Sequence, residues 1–320
     1  GRTPLTFPFQ GTGYRYLNRT SPADWHKQRF DLRFYGHFPN TPMNLKKSLF
    51  SCISLSAITL FTTSTSVLAQ DTLRNNKVIT NTQMLGIGAV NTLDTYLSPE
   101  EYTGTEFRYI SHSVRENGTK LSRELIHQAQ ILSVHNRKEN NNEIGGFYNF
   151  QYNWQYALGK WNVGEGELLL KAGGGIDTRL GFLYNTRNSN NPAQAYAQMN
   201  IAPNAVLAYR FRLRNIPFQL RYEVQSPLLG LTFSPNYGQS YYEIFTRNNY
   251  DHNLVVTSPV STPSLRQLLT IDITVRHTTV RLGYLGDYQQ AKVNQLRQHV
   301  WSNLFVFGIV RKFSINKFIP

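Results

Sequence analysis

Between residues 148 and 156 aromatic and amide side chains take strict turns. Tyr148, Phe150, Tyr152, Trp154 and Tyr156 alternate with Asn149, Gln151, Asn153 and Gln155. Successive side chains of a strand point to opposite faces, so this segment predicts a strand with one aromatic and one amide face. The same period of two recurs over residues 207–214, 218–225 and 269–276, and less cleanly over 176–184. Apolar-out, polar-in strands of about ten residues mark a transmembrane β-barrel. The expected fold is therefore all-β, an antiparallel up-and-down barrel of about ten strands.

The pattern places strands at 82–90, 104–114, 122–136, 143–157, 167–184, 194–213, 216–233, 265–276, 279–290 and 297–313. Lipid leaves no sheet edge unpaired, so such a sheet must close on itself. With both termini on the periplasmic side, the outward loops are 91–103, 137–142, 185–193, 234–264 and 291–296. The inner turns are 115–121, 158–166, 214–215 and 277–278. The longest link falls outside and the two tightest, Arg214-Asn215 and His277-Thr278, fall inside, as barrels of this kind require. A further hairpin from 241–246 and 253–257 would raise the count to twelve. Gly173-Gly174-Gly175 predicts a bulge or bend in the fifth strand, and Pro203, Pro217 and Pro227 predict bulges or strand ends. A soluble β-sandwich also alternates, but its outer faces would be charged rather than aromatic.

An export signal is expected ahead of these strands. Met43 is followed by Lys46 and Lys47, by an apolar stretch over 49–60, and by Val67-Leu68-Ala69 with small residues at the cleavage positions. Residues 1–42 are read as a leader without function, 43–69 as the signal peptide, 70–81 as a periplasmic segment and 82–315 as the barrel. Cys52, the one cysteine, lies inside the signal. No run of 18 apolar residues follows Gln70, so no helical membrane span is expected.

Charge adds one inference. The chain carries +14, and removing residues 1–69 takes away eight Lys/Arg and two Asp/Glu, leaving 25 against 17, or +8. The arginines lie on the polar faces of strands rather than in a basic cluster, which argues against nucleic acid. Outer-membrane lipid and the phosphates of lipopolysaccharide are the expected partners, with the secretion and barrel-assembly machinery during biogenesis. No cofactor is expected. The histidines show no HExxH or paired spacing, and Asp251-His252 reads as a solvated loop pair.

The inward face collects Asp177, Arg179, Arg210, Arg212, Arg214, Arg221, Glu223, Asp272, Arg276 and Arg281. A barrel near eight strands is filled by its own side chains, so these groups are expected to pair within a packed lumen. A narrow pore would favour anions, given the arginine excess. Outer-membrane phospholipases carry a His-x-Ser pair on an outward strand face; here only the reversed Ser133 and His135 share a face, as the candidate for a lipid hydrolase. The 234–264 loop, with Tyr237, Tyr241, Tyr242, Glu243 and Phe245, is the expected functional surface, since loops of this length are uncommon without a role.

Two stretches carry a family resemblance. They are Asp94-Thr95-Tyr96-Leu97-Ser98-Pro99-Glu100-Glu101-Tyr102-Thr103-Gly104-Thr105, and Ser226-Pro227-Leu228-Leu229-Gly230 running through Phe233-Ser234-Pro235-Asn236-Tyr237-Gly238-Gln239-Ser240-Tyr241-Tyr242-Glu243-Ile244-Phe245. They resemble an uncharacterised family of Bacteroides-type exported proteins. The resemblance covers most of the chain after the signal and implies an outer-membrane location. It implies no catalytic or binding residues. Gly308 and Phe313 in the last strand also look like a barrel-assembly signal, although Arg311 departs from its pattern.

Overall fold

The computed structural model describes residues 77–315 apart from Asn190, Arg276 and His277. The leader, the signal peptide and the 277–278 turn thus lie wholly or partly outside the described residues. Twelve strands and one short helix are described: β1 (Lys77–Asp94), β2 (Tyr102–Glu116), β3 (Leu121–Asn136), β4 (Asn142–Val163), β5 (Gly166–Asn185), β6 (Ala193–Leu213), β7 (Ile216–Gln225), β8 (Leu229–Phe233), α1 (Tyr241–Phe245), β9 (Leu254–Thr257), β10 (Leu265–Val275), β11 (Thr278–Val293) and β12 (Leu296–Ile315). Each of the ten expected strands has its counterpart. β1 starts at Lys77, ahead of the expected bound at 82.

Ten of the strands close into an antiparallel barrel in which β12 returns to β1 and β5 meets β6. Following residue partners once round the ring from Ala205, through Val224, Gln267, Gly286, Asn303, Ala89, Thr105, Ser133, Ile144 and Tyr184, returns to β6 at Ala193. The stagger is 205 − 193 = 12 residues. At about 3.3 Å per residue and about 4.8 Å between strands it tilts the strands by about 40°. Membrane barrels fall in that range.

β8 and β9 are not a separate hairpin of the ring. β6 pairs with β7 from Asn204 to Leu213 and with β8 from Ala197 to Ile201, so β7 and β8 form one interrupted strand. The interruption is at Pro227, opposite Pro203, where Ser226 N donates to the Pro203 carbonyl (3.3 Å) and Leu228 N to Ile201 (2.9 Å). Two prolines that cannot donate thus face each other across one gap in the ladder. The alternative hairpin of 241–246 with 253–257 does not form. The first segment is α1, started by a Ser240–Glu243 capping box, and β9 pairs with β8.

Two further expectations are corrected. β5 runs through Gly173-Gly174-Gly175 without a register shift; the shift lies on β4, between Ala157 and Gly159. Tight links are also not confined to the end carrying the termini. Arg214-Asn215 and Asn294-Gln295 both adopt positive φ, at 49° and 65° and at 51° and 64°, which suits two-residue hairpin turns. The second pair joins β11 to β12 at the far end.

The faces sort as the alternation requires. Gln151 is 1% exposed whereas Tyr148 is 43% exposed. Every ring strand presents large apolar groups outward, among them Leu85, Phe107, Ile131, Leu180, Met199, Leu220, Leu269, Val280 and Phe305. Amides that interrupt this wall are met by tyrosine hydroxyls: Tyr288 donates to Asn303 (2.7 Å), Tyr222 to Gln267 (3.1 Å) and Tyr109 to Gln83. A polar group with a partner costs far less to take out of water than an orphan.

The inward face is less uniformly polar than expected. Val90, Leu97, Tyr102, Leu132, Val134, Phe147, Leu183 and Val300 form an apolar cluster at the far end, against which Tyr96 and Tyr196 pack. Met84, Ile110, Ile126, Leu268, Leu285, Leu304 and Val306 form a second one.

Candidate functional site

Two ion-pair networks occupy the lumen. In the first, the Arg108 guanidinium donates to Glu106 (2.7 Å), Asp287 (2.6 Å) and Gln128 (3.0 Å). Arg266 also reaches Asp287 (3.3 Å) and donates to Asn149 (3.1 Å), which holds Asp177. In the second, Glu124 lies 2.6 Å from His112 and accepts from Arg221 (2.8 Å), Asn153 (3.1 Å) and Gln155 (2.9 Å). Arg221 pairs in turn with Glu223. Charge-assisted bonds of this number can repay much of the desolvation of buried ions. With the apolar clusters they leave small voids, about 30 and 20 Å³, above the second network and near the far end.

His112, Glu124 and Glu223 each bring one possible metal-ligand atom within 4.8 Å of the others. Arg221, however, already bonds both carboxylates, so the trio reads as part of an ion-pair network.

The sequence-derived lumen residues divide in four. Asp177, Arg179, Arg221, Asp272 and Arg281 are buried inside the barrel, and Glu223 is half-buried there. Asp272 accepts both arms of Arg281 at 2.6 and 2.8 Å, and Arg179 stacks over Phe147 at 4.2 Å. Arg210 and Arg212 sit at inward positions but at the exposed, terminal end of β6. Arg214 is not a lumen residue: it begins the β6–β7 turn in a left-handed conformation, beyond the reach of strand alternation. Arg276 lies outside the described residues. Glu106, Arg108, His112, Glu124, Arg266 and Asp287 were not among the candidates, although Glu106 and Arg108 stand two apart on one face.

Ser133 and His135 do share the outer face of β3. His135 Nδ1 lies 3.2 Å from the Asn136 carbonyl, and no acid or amide side chain among the described residues orients it toward Ser133. Nothing here assembles a nucleophile and base.

The 234–264 segment is a folded cap. Gln239 accepts from Asn236 N (2.9 Å) and Asn253 (2.6 Å) and donates to the Asn249 carbonyl (2.9 Å). Asn294 donates to the Ser234 and His252 carbonyls at 3.0 and 2.9 Å, tying the cap to the β11–β12 turn. Tyr241 accepts from Ala195 N (2.7 Å), donates to Gln194 (2.8 Å) and packs edge-on to Tyr96 with ring centroids 5.7 Å apart. Burial, and then the Asp94 and Glu243 charges, raise the Tyr96 hydroxyl to about 12, and burial likewise raises Tyr241. Both hydroxyls stay neutral at ordinary pH, and that of Tyr241 keeps its bond to Gln194. Of the candidate cap residues, Tyr241 and Glu243 thus hold the fold together, whereas Tyr237 (71% exposed), Tyr242 and Phe245 face outward.

The terminal end is open instead. A vestibule of about 730 Å³ lies there, with Arg281, Arg221 and His112 at its inner end and Arg210, Arg212 and Lys312 on its wall.

A family model described as Protein of unknown function (DUF3316) matches residues 53–318. No curated protein matches the sequence. Among solved structures, the transport unit of the autotransporter AIDA-I from Escherichia coli is similar at 8% identity, covering 84% of this chain and 99% of that one, with a TM-score of 0.41. The outer membrane protease OmpT from Escherichia coli is similar at 7% identity, over 76% and 98%, with a TM-score of 0.42. An outer membrane channel from Pseudomonas putida F1 is similar at 10% identity, over 78% and 100%, with a TM-score of 0.30. These likenesses are distant, and no residue role is taken from them.

Proposed function

The chain belongs to the family described as Protein of unknown function (DUF3316), and from its geometry we propose a sealed barrel of the outer membrane with a structural or binding role. The single observation that carries this is the exposed apolar wall present on every ring strand. In water such a wall would far exceed the few hundred Å² of contiguous apolar patch that soluble monomers tolerate. In lipid it is the required surface. The export signal at 43–69 and an even strand number support the same location. Lipid and lipopolysaccharide are then its surroundings, and the secretion and barrel-assembly machinery its route there. The working face is the cap, with Tyr237, Tyr242 and Phe245 presented to the outside.

The test is detergent dependence. The mature chain should stay soluble only with surfactant and should migrate faster on a denaturing gel when unheated than when boiled. A freely soluble monomer without surfactant would end the proposal.

The filled lumen makes a second prediction against the narrow-channel reading. Inserted into planar bilayers, the protein should give no single-channel steps up to high voltage, because Arg108, Asp287 and Arg266 span the lumen between two apolar clusters. Regular anion-selective steps would show that the network opens.

A further inference from the structure

We infer that the vestibule at the terminal end is a binding site for a small phosphate- or carboxylate-bearing solute with an apolar part. Its volume of about 730 Å³ falls within the range of small-molecule sites, about 300–1,000 Å³. It is a blind pocket, because beyond it the lumen is filled by the ion-pair networks and Met84, Ile110 and their neighbours. A solute that enters from this end is held rather than passed on.

The charges on its wall are not evenly committed. Asp272 spends both oxygens on Arg281, Glu116 is held by Lys171 at 2.6 Å, and Glu167 is held by Lys160 at 2.8 Å. Arg210 reaches Glu167 only at 3.7 Å and otherwise donates to Gln219. Arg212 and Lys312 have no partner among the described residues. Three of the four wall carboxylates are therefore paired, Glu165 alone having no partner among the described residues, while Arg212 and Lys312 are free and Arg210 is only loosely held, its guanidinium two residues from that of Arg212 on one strand face. Paired guanidinium groups favour planar or tetrahedral oxyanions, which they can grip with several charge-assisted bonds. Val78 and Val114 also line the pocket, which favours an anion with an apolar substituent over inorganic phosphate. The same chemistry belongs to a soluble phosphate ester and to a phospholipid headgroup.

The experiment uses the folded protein in detergent micelles, titrated with phenyl phosphate, inorganic phosphate and dihexanoyl phosphatidic acid by phosphorus NMR. Phenyl phosphate should bind saturably and more tightly than inorganic phosphate. An Arg210→Gln/Arg212→Gln variant should weaken it at least tenfold, while Arg311→Gln, on the outer wall, should leave it unchanged. Tighter binding of the short phosphatidic acid than of phenyl phosphate assigns the pocket to a headgroup, and weaker binding to a soluble ester. Non-saturable binding, an equal effect of Arg311→Gln, or an unaffected double variant would overturn the inference. The heat-dependent gel shift of the same samples reports the barrel separately, so a failed site and a failed barrel cannot be confused.

Discussion

Glu124→Leu is expected to destabilise the folded barrel by about 3–5 kcal/mol, the usual cost of removing one partner from a buried charge network. Glu124 is 2% exposed and gathers His112, Arg221, Asn153 and Gln155 onto its two oxygens. Its loss leaves Arg221 to Glu223 alone and strands two amide donors in the lumen. Unfolding in urea, followed by tryptophan fluorescence and the heat-dependent gel shift, would read the loss directly. Adding Arg221→Met and Glu223→Met to Glu124→Leu should recover a large part of it, because exchanging the whole set of linked ions for apolar groups leaves no charge without its partner. For contrast, Lys160→Met breaks an ion pair to Glu167 whose lysine is 60% exposed, and should cost under about 1 kcal/mol. A loss for Glu124→Leu as small as that would show the network to be solvated rather than buried.

Why the sequence disclosed the architecture so fully, and the site so incompletely, follows from where alternation is clean. On β4 the outer and inner faces differ maximally, Tyr148 and Trp154 against Gln151 and Gln155, so both the strand and its orientation were legible. On β2 and β3 polar groups lie on both faces. Ser111, Ser113 and His127 face outward, while His112 and Glu124 face inward. A period-two contrast fades there, and the centre of the second network passed unseen. Hydrogen bonds from neighbouring strands, such as those joining Asn81 to Ser113 and His127 to Tyr148, satisfy the outer polar groups, and pairing across strands is not visible in one strand's pattern. Turns behaved likewise. Arg214 has inward parity by count, but parity ends with the strand, and only its positive φ reveals the turn. The capping box at Ser240 and Glu243 was legible in principle, yet the aromatic content of 241–245 suited a strand equally well.

The three consecutive glycines of β5 supply the other large effect, and it discriminates between adjacent residues. A Cβ built on Gly173 would stand 1.8 Å from the Trp154 carbonyl oxygen and 2.9 Å from Gln155 Cα, both backbone atoms of β4 that cannot swing aside. On Gly174, the nearest atom would be the Ala202 carbonyl oxygen at 3.4 Å, an ordinary contact. Gly173→Ala should therefore cost about 4 kcal/mol or more, the scale reserved for a substitution that the backbone cannot accommodate. It should abolish the fast-migrating band after refolding into micelles. Gly174→Ala should be neutral, or stabilising by about 0.4–1 kcal/mol, by restricting the unfolded chain. Both positions are glycine in the middle of one strand, with the same propensity for extended backbone, so a propensity effect would move them together. Only the approach of β4 to β5, Gly173 opposite Gln155 and Gly174 opposite Trp154, separates them. Equal behaviour of the two variants would mean that the strands are not held this close, and that the coiling of the barrel wall at this point is other than described.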